Sequence, residues 1–201
     1  MDFFENFQPL GVHSERQVIL SNFFDTTLPN VIRTRGWESL CEEPVCCPVM
    51  FIQEFYSNIQ GIDNFVPQFV STFRGTHIVI TSDLIPEVLR VPKVVHPDYP
   101  SCYRLQTMSR DELISHFCRT SSIWSGKLNT SCSSFAKGLK FLNMVITFTL
   151  TPLSQYNSIT EPHARFLLSL MEDLTIDLSS HFITSIIDVY QDQGCQNQDP
   201  T

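Results

Sequence analysis

The apolar residues of this chain recur at helical spacing over most of its length and change period once. From Gln68 to Thr81 the chain runs Phe69-Val70-Ser71-Thr72-Phe73, Arg74-Gly75, then Thr76-His77-Ile78-Val79-Ile80-Thr81. β-branched and aromatic residues dominate both arms, so this segment is expected to form a β-hairpin. Arg-Gly is a weaker turn signal than Asn-Gly, and the register stays open.

Helical patterns flank that hairpin. Phe23, Phe24, Leu28, Val31 and Ile32 mark a stripe over 22–35, with Pro29 inside it as either a helix start or a kink and Gly36 as a left-handed stop. Val49, Ile52, Phe55, Tyr56 and Ile59 follow one face of a helix over 49–60, with Pro48 at the start. Ser82 is expected to cap a short helix through Leu89, stopped by Pro92. Residues 92–107 hold Pro92, Pro97 and Pro100 and read as a loop. Ser109-Arg110-Asp111-Glu112 is a capping box. Residues 119–132 read as a connection. A helix over 133–149, apolar nearly all round in its second half, is expected at the centre of the core. Further helices are expected after Thr160-Glu161-Pro162 and over 178–190. The pattern predicts a mainly α fold, a helical bundle of about six or seven helices with one small β-hairpin as a minor β component. Residues 1–20 read as an N-terminal arm, 21–190 as a single globular domain, and 191–201 as a flexible tail.

The chain has 201 residues, 42% hydrophobic and 17% charged, enough to bury a core without disulfide or metal staples. No apolar run is long enough to cross a membrane, and the first residues lack a signal-peptide pattern. Seven cysteines, without a Cys-x-x-Cys pair, suit a reducing compartment. The expectation is a soluble protein of the cytoplasm or nucleus, with no membrane partner.

The net charge of -8 opposes default nucleic-acid binding. Its distribution is uneven. Residues 90–140 carry eight bases and three acids, and the remainder carries five bases and 18 acids. Such asymmetry marks either a basic face or ordinary surface pairing with acidic neighbours.

Several chemistries lack their residues. There is no phosphate loop, no dinucleotide fingerprint and no nucleophile elbow, and only seven glycines occur. Asp25-Thr26-Thr27 lacks the glycine of an aspartic-protease motif, and Asp25 reads as an exposed helix or cap residue. The six histidines are scattered without metal-ligand spacing. Glu172, Asp173 and Asp177 form the densest acidic group and read as solvated surface or a cap. His116 and Cys118, two apart on a helix, point to different sides. No catalytic residue, metal ligand, cofactor or small-molecule substrate is assigned.

An ordered set of short motifs remains. Arg35-Gly36-Trp37 precedes Phe51-Ile52-Gln53-Glu54-Phe55-Tyr56-Ser57-Asn58. Phe73-Arg74-Gly75 then leads to Ile85-Pro86-Glu87-Val88-Leu89, and Leu150-Thr151-Pro152, Ile159-Thr160-Glu161 and His163-Ala164-Arg165 close the series. Over roughly residues 15–190 this order resembles the putative plant transposon protein domain of plant retroelement-derived reading frames. The resemblance implies origin in a mobile element and carries over no catalytic residue. Its motif residues have structural explanations: Trp37, Phe55 and Tyr56 as core anchors, Gly36 and Gly75 for backbone geometry, and Arg35, Arg74 and Arg165 as motif cations, the last two expected to pair with acids across elements.

The leading functional expectation is a non-catalytic, retroelement-derived module for protein interaction or nucleoprotein scaffolding, with an unidentified protein partner. The alternative is nucleic-acid binding through the basic segment, with Arg110, Arg119, Lys127, Lys137 and Lys140 on phosphates and Trp124 stacked on a base. A metal-dependent nuclease or integrase relic is a remote third reading, since it needs converging carboxylates. A degenerate fragment without present function is the fourth.

Overall fold

The computed structural model describes residues 17–45, 47–63, 65–118, 123–124, 129–133, 135–150 and 158–196. The described residues divide into two compact units: 45–93 with 178–196, and 17–44 with 94–177.

In the first unit, helix α2 (Val49–Ser57) starts directly after Pro48, where a proline costs no hydrogen bond. It stops earlier than its apolar stripe, because Gln60–Asp63 forms strand β1 with Gly61 at φ +61°. Asp63 Oδ1 then accepts the N–H groups of Phe65 and Val66, turning the chain into β2 (Gln68–Phe73). Strand β3 (Thr76–Thr81) returns antiparallel, so the expected hairpin gains a third strand in the order β1-β2-β3.

Its register is fixed by the turn. Phe73 faces Thr76 and Val70 faces Val79, while Arg74 and Gly75 both take positive φ, 50° and 75°. Two left-handed residues in a two-residue loop match the twist of the strands. Alternate β2 side chains, Phe69 and Ser71, point inward. Phe69 packs with Ile59, Ile183 and Ile187 on the long helix α8 (Leu178–Gln196), with Phe55 and Ile80 around them. Ser71, fully buried, donates its hydroxyl to Phe55 O at 2.7 Å, so its burial leaves no orphan. Helix α3 (Leu84–Leu89) is not capped by Ser82: the Thr81 hydroxyl accepts the N–H of Leu84. Arg90, left-handed at φ 55°, ends it.

In the second unit, α1 spans Leu28–Thr34 with Pro29 in its first turn and follows a 3-10 turn over Leu20–Phe23. Gly36 at φ 64° stops α1 as expected. A short helix α4 (Tyr103–Thr107) stands inside the segment expected as a loop, holding Leu105 at 1% exposure. Ser109 and Glu112 cap α5 (Arg110–Phe117) reciprocally, as the capping box predicts. Helix α6 covers Lys137–Val145 and passes into a π turn over Ile146–Leu150. Helix α7 (Glu161–Met171) buries every residue from Phe166 to Leu170. Strands β4 (Asn129–Ser131) and β5 (Ser158–Thr160) pair antiparallel.

The architecture corrects the expected helical bundle. Among the described residues, eight α-helices accompany a three-stranded and a two-stranded antiparallel sheet, an α+β fold. Among them no helix is long and apolar enough to cross a membrane.

Candidate functional site

Four described arginines of the second unit, Arg35, Arg104, Arg110 and Arg165, are paired with acids. Glu161, the first residue of α7, accepts Arg165 Nη2 one turn along at 2.5 Å and Arg110 Nε from α5 at 2.7 Å. Hydrogen bonds from Arg165, then Arg110, hold its carboxyl below the usual glutamate value. Arg165 Nη2 also donates to Met108 O at 2.9 Å. Beyond the other end of α7, Arg104 pairs with Glu172 and Arg35 with Asp173. Two of the three acids expected as solvated surface or caps are therefore arginine partners. Asp25 is exposed in a turn.

The nucleic-acid candidates are placed unevenly. Arg110 lies 5.9 Å from the Trp124 ring centre, so the structure brings these two together, but its guanidinium is also joined to Glu161. Trp124 is half-buried, and its backbone N–H donates to Asp111 Oδ1. Lys140 is exposed on α6, and Lys137 is the first residue of that helix. Arg119 and Lys127 lie outside the described residues.

The motif residues have local tasks. Trp37 is 3% exposed, with the Arg35 guanidinium 5.7 Å above its ring. Phe55 meets Phe69 edge-on at 5.9 Å, and burial pushes the Tyr56 phenol up. The Arg74 guanidinium sits 4.5 Å from the Phe51 ring centre, while its backbone N–H donates to Glu54 Oε1. Arg74 thus meets an acid through its backbone, whereas Arg165 meets Glu161 within its own helix.

Thiol chemistry is damped where the thiols are buried. Burial raises Cys41 to about 11 and Cys132 to about 12, which suppresses the reactive thiolate at neutral pH. His116 is exposed, while Cys118 is half-buried and bridges to Phe135. Among the described residues no group of three or more His, Cys, Asp or Glu side chains is arranged to hold a metal ion.

One feature of the first unit was not anticipated from the sequence. In a two-residue hairpin the pair flanking the turn is hydrogen-bonded, and pairs then alternate. Thr76, Ile78 and Ile80 therefore direct their backbone groups to β2. His77, Val79 and Thr81 direct theirs to the outer edge, where no described backbone group meets them. Val79 is 54% exposed. The available signal was the run His-Ile-Val-Ile-Thr, which carries no formal charge and no proline to protect an edge.

The model of the putative plant retrotransposon-related domain matches residues 33–198. No curated protein and no solved structure matches the chain. The match takes in the Arg35-Gly36-Trp37 stop, the β2–β3 hairpin and the arginine-bearing helix α7, and with most of its length inside it the chain belongs to the putative plant retrotransposon-related domain family.

Proposed function

We propose that this domain is a non-catalytic assembly module of a plant retroelement-derived protein, joining copies of the chain through the outer edge of β3. The edge carries the reading. It offers the backbone groups of His77, Val79 and Thr81, with no lysine, proline or formal charge to repel a second strand. An antiparallel partner centred on Val79 is self-complementary: Val79 faces Val79, and each His77 faces Thr81. Pairing would merge two three-stranded sheets into one of six strands.

The net charge of -8 opposes this association at low salt and is screened at higher salt. Nucleic-acid binding has the opposite salt dependence and draws less support, because Arg110 is joined to Glu161.

Light scattering over a concentration series tests the proposal. The expected result is a dimer fraction that grows with concentration and with salt, and a monomeric Val79→Lys variant with an unchanged circular-dichroism spectrum. A wild-type chain that stays monomeric throughout, or binds only unrelated extended peptides, overturns it.

A further inference from the structure

Cys118 follows the last residue of α5, and Cys132 follows β4. Two backbone steps draw these cysteines of the second unit close. Cys118 forms an antiparallel bridge with Phe135, and the next residue, Ala136, donates its N–H to Phe117 O at 3.1 Å. Residues bridged in this way have Cα atoms about 5 Å apart. The Phe135 N–H in turn donates back to Cys132 O at 3.2 Å, a tight turn whose ends lie within about 7 Å. A disulfide needs Cα atoms about 4.4–6.8 Å apart, a span that one bridge and one turn allow.

The side chains share this neighbourhood. Burial is the main cause that raises the Cys132 pKa, and the charge of Cys118 is the second, so the two sulfurs feel each other. Asn143 Nδ2 donates to Cys132 Sγ at 3.7 Å in the core, which fixes that sulfur in place. Cys132 is buried, whereas Cys118 is half-buried and open to a small reagent. Both carry thiols in the structure.

We propose that Cys118 and Cys132 are a redox-sensitive pair that closes to an intramolecular disulfide when a small disulfide oxidant, such as oxidised glutathione, reaches Cys118. The Cys118 thiol gives up its proton, and its thiolate attacks one sulfur of the oxidant. The oxidant's S–S bond breaks, and one glutathione leaves as a thiolate that takes up a proton. Cys132 then gives up its proton and attacks Cys118 Sγ, expelling the second glutathione thiolate, which is protonated in the same way. Two protein thiols lose two electrons and two protons, and one glutathione disulfide becomes two glutathione thiols. With its pKa pushed up to about 12, Cys132 is seldom a thiolate, so the second step is the slower one and the adduct on Cys118 forms first. The finished bond would tie the end of α5 to the approach to α6.

Treatment of the folded full chain with oxidised glutathione, followed by tryptic mass mapping, tests it. The expected product is a monomer that has lost two hydrogens, with peptides 111–119 and 128–137 linked. Closing a loop of about 15 residues should raise the melting temperature by roughly 5–10 °C. Cys132→Ala should stop at the glutathione adduct on Cys118. Cys118→Ser, at a half-buried position, should leave Cys132 unmodified. A wild-type Cys118 that does not react, or whose adduct persists as long as it does in Cys132→Ala, overturns the proposal. So do linked peptides found only in covalent dimers, and a melting temperature that falls on oxidation.

Discussion

Arg35 and Asp173 stand 138 residues apart in the chain and 2.9 Å apart in the fold. The arginine is nearly buried, with 10% side-chain exposure, while the aspartate is 80% exposed. Arg35 also donates to the carbonyls of Leu170 and Leu174, so its main task is to close the C-terminal end of α7.

Arg35→Ala should therefore lower the unfolding free energy by about 1–3 kcal/mol, because the part-buried carbonyls of Leu170 and Leu174 lose a charged donor. Arg35→Lys should recover only part of this, since an ammonium cannot span the three acceptors. Asp173→Asn should cost less than about 1 kcal/mol, as expected for an exposed pair. Urea denaturation of the three variants measures the order.

Gly75→Ala should destabilise the hairpin by about 1–2 kcal/mol. A Cβ at Gly75 meets nothing within 4 Å, so the cost arises from φ +75° and not from a clash. Thermal unfolding of the variant checks the size. A neutral result would mean that the turn relaxes to another type.

Stability should fall with acid in two windows. Burial lowers His181 from 6.5 to about 4, so the unfolded chain takes up a proton that the folded chain refuses. That contribution is complete above pH 6.5 and is lost as the pH falls from there to about 4. Glu161 is also lowered, so its contribution is present above its usual 4.5 and is lost as the pH falls through the lower folded value. His181→Gln should flatten the upper window and Glu161→Gln the lower one, read from unfolding free energies against pH.

The thiols should divide by exposure. Cys47 is exposed, whereas Cys41 and Cys132 are buried with raised pKa values. A thiol reagent at neutral pH should label Cys47 in the folded chain and reach Cys41 and Cys132 only after denaturant is added, as peptide mass mapping can follow.

The elements legible in the sequence are those with a local chemical signature. The Arg74-Gly75 turn lies between two β-branched runs, Ser109 and Glu112 announce α5, and Gly36 ends α1. Strands β4 and β5 have three residues each, too few to display a period, and Ser and Thr fill most of their positions. Helix α4 is a single short turn among prolines, held by the burial of Leu105. The arginine cluster was half visible. Glu161 and Arg165 are four apart, but Asp173 and Glu172 meet Arg35 and Arg104 only through the fold. Counting charge along residues 90–140 overstates its free positive charge for that reason: Arg104 and Arg110 are answered from outside the segment.

Hydrogen exchange at the amides of His77, Val79 and Thr81 tests self-pairing at β3 most directly, because these donors face the outer edge. The account predicts that their exchange slows as protein concentration and salt rise, while Ile78 and Ile80, already bonded to β2, change little. Fast exchange at all three positions at every concentration would contradict it.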